Sequence, residues 1–203
     1  MHDYRLLEKG MPLDQASKAI ILLHGRGGSA EDIIRLADEF TDETFYVVAP
    51  QATNNSWYPY SFLAPAKLNE PWLTSATEVV KKVIDEASTF VGYENVFIMG
   101  FSQGACLALE TTCRYAAKYA GIVAFSGGLI GETVNQQNYQ GFFQETKVFI
   151  GNSDNDPHIP LERSEESRRI MESRGASVTL KIYPGMQHTI IRDEINMVKR
   201  MMF

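Results

Sequence analysis

Short runs of apolar, largely β-branched or aromatic residues alternate along this chain with longer stretches of helical periodicity. The runs are AIILLHG (19–25), FYVVAP (45–50), VFIMGFS (96–102), GIVAFSGG (121–128), KVFIGNS (147–153) and SVTLKIYPG (177–185). They are nearly continuous in apolar residues, as strands buried on both faces of a parallel sheet must be. Helical patterns fall at 29–40, 74–91, 103–118, 161–174 and 188–202. The pattern at 74–91 opens with Thr74 or Ser75 and has Glu78 close behind, which reads as a capping box. Alternation of this kind implies right-handed crossovers and a doubly wound, mostly parallel α/β sheet, with residues 1–203 as one domain. Chemistry in such sheets sits beyond the carboxyl ends of the strands.

Charge narrows the function classes. A net charge of −6 leaves no basic footprint for nucleic acid. No stretch approaches the ~18 apolar residues that would span a bilayer, so no membrane insertion is expected. The opening MHDYRLLEKG lacks the apolar core of a signal peptide, and the expected location is the cytoplasm. Cys106 and Cys113 lie seven apart on one predicted helix, roughly 10 Å between Cα atoms and beyond disulfide reach.

The most telling strand end is Gly100-Phe101-Ser102-Gln103-Gly104. A G-x-S-x-G match means little alone, but here it follows a strand and opens a helix. Glycines at 100 and 104 let strand and helix backbones approach, while Ser102 takes the strained turn that exposes its hydroxyl. A serine nucleophile needs a base and an acid to orient it, in the chain order Ser, acid, His for this turn. His188, after the last strand, is the base expected. The acid follows the run at 147–153, where Asp156 is stiffened by Pro157 and Pro160; Asp154 stays open as the alternative. For the oxyanion hole, the residue after the nucleophile supplies one N–H, from Gln103, and the glycine-rich loop LLHGRGGSA supplies the other, from Arg26. His24 in that loop reads as structural.

The segment 51–72 is long, aromatic and proline-rich. Trp57, Tyr58, Tyr60 and Phe62 either wall an acyl or aryl site or cover one face of the sheet, and of these Trp57 reads as a site residue. The Arg26 side chain either turns into the cleft to pair a carboxylate or phosphate, or turns outward as a solvated charge. The spacing Asp154-x-Asp156-x-His158 faintly echoes a calcium loop, but Ile159 stands where that loop needs glycine and Pro157 and Pro160 distort the turn, so no calcium site is expected there.

LLHGRGG, SWY, GFSQGA, DPHIP and YPGMQHT, in this order, resemble the carboxylesterase/phospholipase branch of the α/β-hydrolases, which includes the acyl-protein thioesterases. The resemblance runs from about residue 18 to about 200. It implies ester or thioester hydrolysis of a small-molecule substrate through an acyl-enzyme, without a cofactor. It implies the triad Ser102, Asp156 and His188, oxyanion amides at Arg26 and Gln103, and Trp57 in the loop bordering the acyl site. Only about twenty residues separate the runs at 121–128 and 147–153, too few for a cap domain. An open cleft for short to medium acyl groups follows; the sequence leaves the oligomeric state open.

Overall fold

A computed structural model describes residues 1–203. Its centre is a seven-stranded sheet in the order β1-β3-β2-β4-β6-β8-β9. The strands are β1 (Leu6–Gly10), β2 (Lys18–Leu23), β3 (Phe45–Pro50), β4 (Val96–Phe101), β6 (Gly121–Phe125), β8 (Lys147–Ser153) and β9 (Ser177–Tyr183). Every neighbouring pair is parallel except β1 on β3. A separate two-stranded pair joins β5 (Tyr115–Ala116) to β7 (Gln140–Gly141). This is the doubly wound, mostly parallel sheet of an α/β-hydrolase, with no cap domain.

Strand β1 has no counterpart among the apolar runs. Glu8 and Lys9 interrupt it, as befits an edge strand whose charges discourage pairing with other chains. The central strands β2 and β4 are instead almost wholly buried, which is why their sequences read as unbroken apolar runs.

Helices α2 (Trp72–Val91), α3 (Gln103–Arg114) and α4 (Leu161–Ser173) cover one face; α1 (Ala30–Ile33) and α5 (Arg192–Met202) cover the other. Four boundaries differ from the sequence reading; the last helix, read from 188, starts only at Arg192. The pattern at 29–40 is one α-turn followed by a 3₁₀ helix over Ile34–Glu39. Helix α2 starts at Trp72 behind Pro71 without a side-chain cap, and the Thr74 N–H is taken by Glu70 Oε2 at 3.1 Å. Helix α3 stops at Arg114 because the chain turns into the β5–β7 pair, a tertiary contact that helical periodicity does not report.

The chain crosses β2 in passing from β3 to β4, so the winding direction reverses between β2 and β4. Loops leaving two such strands diverge and open a crevice at their carboxyl ends. LLHGRGG leaves β2 there and Ser102 leaves β4.

Candidate active site

The turn after β4 is built by steric exclusion. A Cβ at Gly100 would collide with the Gly104 carbonyl, and one at Gly104 with the Leu23 and His24 carbonyls at the end of β2. With both absent, α3 starts directly on top of β4. Ser102 pivots between them at φ 55°, ψ −117°, a conformation costing an L-residue on the order of 1–3 kcal/mol. Its own N–H is held by the Phe125 carbonyl at 2.9 Å, so the strained residue is anchored from the neighbouring strand.

Ser102 Oγ lies 2.8 Å from His188 Nε2, and His188 Nδ1 lies 2.7 Å from Asp156 Oδ2. The other carboxylate oxygen accepts the backbone N–H groups of His158 at 2.8 Å and Ile159 at 3.0 Å. Burial alone raises the Asp156 pKa, but the His188 ring and these two N–H groups outweigh it and hold the carboxyl below the usual carboxylate range. Asp156 is therefore ionised at neutral pH, with its side chain fully buried. An ionised acceptor on Nδ1 fixes the proton there and leaves Nε2 as an acceptor facing the serine hydroxyl. Asp154 serves elsewhere: its Oδ1 accepts the Gly185 N–H at 2.8 Å.

The backbone N–H groups of Arg26 and Gln103 find no hydrogen-bond partner within the protein, and both residues line the same cleft as Ser102. Their side chains do other work. The Gln103 amide oxygen accepts the Trp57 N–H at 3.0 Å and its nitrogen donates to the Tyr58 carbonyl at 2.8 Å. The Arg26 guanidinium donates to Ser56 Oγ at 3.0 Å, the Pro59 carbonyl at 2.9 Å and the Tyr60 carbonyl at 2.7 Å. Neither reading of Arg26 from the sequence describes this. Its side chain is neither free in the cleft nor loose in solvent, because three acceptors of the 56–60 segment lie within reach of one planar fork.

Trp57 also departs from its expected place. It is fully buried, donates from Nε1 to the His24 carbonyl at 2.9 Å, and does not line the cleft. It supports the glycine-rich loop from beneath. Burial, opposed in part by the Gly25 carbonyl, lowers the His24 pKa, and the neutral ring accepts the Ala52 N–H at 3.1 Å.

Tyr58 and Phe62 do line the cleft, whose volume is about 600 Å³. The sequence did not single out Phe101, Cys106, His158 or Ile159 as lining residues. Cys106 stands one helical turn after Ser102, where i,i+4 spacing alone signals the shared face. The His158 ring meets His188 edge-on at 4.8 Å between centroids, and no local pattern announces that.

A serine on a strained strand-to-helix turn, an imidazole poised on its hydroxyl and unpaired N–H groups beside it are the parts that acyl transfer requires. The phospholipase/carboxylesterase family model matches residues 10–202. The chain belongs to that family. A family member of known structure, a phospholipase/carboxylesterase from Dyadobacter fermentans, is 47% identical with a TM-score of 0.96, covering 99% of this chain and 97% of its own. Acyl-protein thioesterase 1 of Kluyveromyces lactis is 26% identical over 220 residues, 94% of this chain and 92% of that protein. Acyl-protein thioesterase 1 of Saccharomyces cerevisiae is 30% identical over 129 residues, 63% of this chain but only 57% of the yeast protein. Family membership supports ester hydrolysis with a small-molecule ester as substrate. No helix is long and apolar enough to cross a membrane.

Proposed function

We propose that the protein is a serine hydrolase that cleaves carboxylic esters and thioesters of short to medium acyl chain through an acyl-enzyme. The observation that carries this reading is the unbroken relay from Ser102 Oγ to His188 Nε2 at 2.8 Å and from His188 Nδ1 to Asp156 Oδ2 at 2.7 Å. In the proposed cycle Ser102 Oγ attacks the acyl carbon while its proton passes to His188 Nε2. The negative charge that develops on the former carbonyl oxygen is stabilised by hydrogen bonds donated from the Arg26 and Gln103 N–H groups. His188 then protonates the leaving alcohol or thiol, and Asp156 stabilises the imidazolium in the interval. Water, deprotonated by the same nitrogen, releases the acid and restores Ser102.

The acyl length rests on the cleft, whose volume of about 600 Å³ lies within the range of small-molecule sites. Tyr58, Phe62, Phe101 and Ile159 give it apolar walls. A single domain over residues 1–203 is supported by the one sheet from Leu6 to Tyr183 that gathers all the site residues. A reducing, cytoplasmic setting is in keeping with the free, buried thiols of Cys106 and Cys113.

A turnover series of p-nitrophenyl esters from acetyl to palmitoyl, with matched thioesters, tests the reading in wild type and Ser102→Ala. Turnover peaking at short or medium chains and falling by several orders of magnitude in Ser102→Ala is the expected result. Near-normal turnover by Ser102→Ala overturns the nucleophile, and a maximum at palmitoyl overturns the chain length.

A further inference from the structure

Beneath the cleft, a second set of contacts runs from the Ser102 turn to the His188 loop without passing through the triad. Ser102 N–H donates to the Phe125 carbonyl at the end of β6, and the next residue, Ser126, donates its N–H to the Gly151 carbonyl of β8 at 2.8 Å. Gly151 has no Cβ because Glu194 Oε1, reaching in from α5, occupies the space one would need. Glu194 Oε2 in turn accepts the Ile191 N–H at 2.9 Å, three residues beyond His188. All but one of these links are backbone groups. The exception is the Glu194 carboxyl, which is completely buried.

Its position is unusual for a helix-capping acid. A carboxylate in the first turn of a helix ordinarily faces water, where the helix dipole and the free N–H groups favour it. Glu194 has no exposed surface, and its Oε1 has no hydrogen-bond partner. Ser126 Oγ, in the residue that bonds Gly151, is a second buried oxygen without a partner, on a backbone at φ 53°. Capping of α5 uses Oε2 alone and leaves the burial of Oε1 against Gly151 unaccounted for, where a leucine would bury no unpaired oxygen. What a leucine cannot do is press on β8 at Gly151 while holding the N–H of Ile191. Those two points lie in the strand that leads to Asp156 and in the loop that carries His188.

We infer that Glu194 is the positioning residue of the His188–Asp156 pair, setting the distance between the base loop and the acid strand from below. This rests on the triad reading given above. On the exposed side the same two loops meet through the His188–Asp156 bond itself, the His158–His188 ring contact, and the Gly185 N–H on Asp154 Oδ1. Misplacement of a reacting group by about 1 Å costs up to ~100-fold in rate, so a buried spacer between base and acid acts on kcat rather than on substrate binding.

The test compares Glu194→Gln, Glu194→Leu and Glu194→Asp in the full chain. Three quantities are read for each: kcat and KM on a short p-nitrophenyl ester, melting temperature, and the low-field proton NMR resonance of the His188 Nδ1–H hydrogen bond. Glu194→Gln keeps the shape and the acceptor, and holds kcat within about threefold and the resonance in place. Glu194→Leu and Glu194→Asp lose about 10- to 100-fold in kcat with KM nearly unchanged, and their resonance moves or broadens. A folded Leu or Asp variant with wild-type kcat and an unmoved resonance overturns the inference. Should neither fold, Gly151→Ala displaces Oε1 from the strand side, and wild-type kcat there overturns it equally. The resonance is read without turnover, so a failure of the triad reading, seen as activity in Ser102→Ala, stays separate from a failure of this one.

Discussion

The side-chain oxygen of Gln103 accepts the Trp57 backbone N–H at 3.0 Å, so the residue that follows the serine also fastens the aromatic loop. The backbone and the side chain of Gln103 thus act on different parts of the site. Gln103→Ala keeps the unpaired N–H and removes the tie to Trp57 and Tyr58. We expect kcat/KM to fall about tenfold, the worth of one or two buried hydrogen bonds, with fluorophosphonate labelling of Ser102 still complete. Labelling abolished in a folded variant would show that the side chain is needed to form the nucleophile itself.

Arg26 completes that fastening from the solvent side. Its fork holds the Pro59 and Tyr60 carbonyls and the Ser56 hydroxyl. Arg26→Ala frees the loop and is expected to lower kcat/KM by about tenfold on neutral and anionic esters alike, because a loosened wall affects both. Arg26→Lys recovers only part, since an ammonium lacks the planar fork. A loss confined to anionic esters would mean that the guanidinium leaves its carbonyls to bind substrate.

The strand-to-helix turn depends on absent atoms. Gly104→Ala places a methyl against the Leu23 and His24 carbonyls, backbone that cannot move without shifting β2 and the glycine-rich loop together. Overpacking of this kind costs ~1–3 kcal/mol or more. A clear fall in melting temperature, with activity lost before the fold, is the expected outcome; an unchanged melting temperature would show that α3 has room to slide.

Much of this architecture is visible in the sequence because it is local. The buried strands spell themselves out in apolar runs, and Gly100-Phe101-Ser102-Gln103-Gly104 carries its turn within five residues. Pro157 and Pro160 singled out the neighbourhood of Asp156, and the structure brings Asp156 to His188 while Asp154 goes to Gly185. What escaped depends on partners far along the chain. Trp57 looks like a wall residue until the His24 carbonyl, 33 positions away, draws its ring inward. Strand β1 hides because an edge tolerates Glu8 and Lys9. Glu194 hides for a different reason: an acid in a helix's first turn is what any solvated N-terminus offers, and only Gly151 reveals its burial.

That burial has a consequence for stability that pH titration exposes. Removal from water raises the Glu194 pKa to about 7; the Ile191 N–H opposes the rise and the neighbouring Asp193 charge adds to it. Between the ordinary carboxylate pKa and about 7, the folded protein holds a proton on Glu194 that the unfolded chain has released. Its contribution is therefore most favourable in acid, declines as pH rises through that window, and levels off above about 7. The span is on the order of 3 kcal/mol. His2 and His24, whose pKa values burial lowers, act in the opposite sense, so the wild-type curve alone mixes the effects. The difference between wild type and Glu194→Gln isolates Glu194. Chemical denaturation at half-unit steps from pH 4 to pH 9 should show the Gln variant gaining steadily on wild type up to about pH 7 and holding its lead above it. A difference that does not vary with pH would mean that Glu194 titrates alike in the folded and unfolded chains, as a carboxyl in contact with water does.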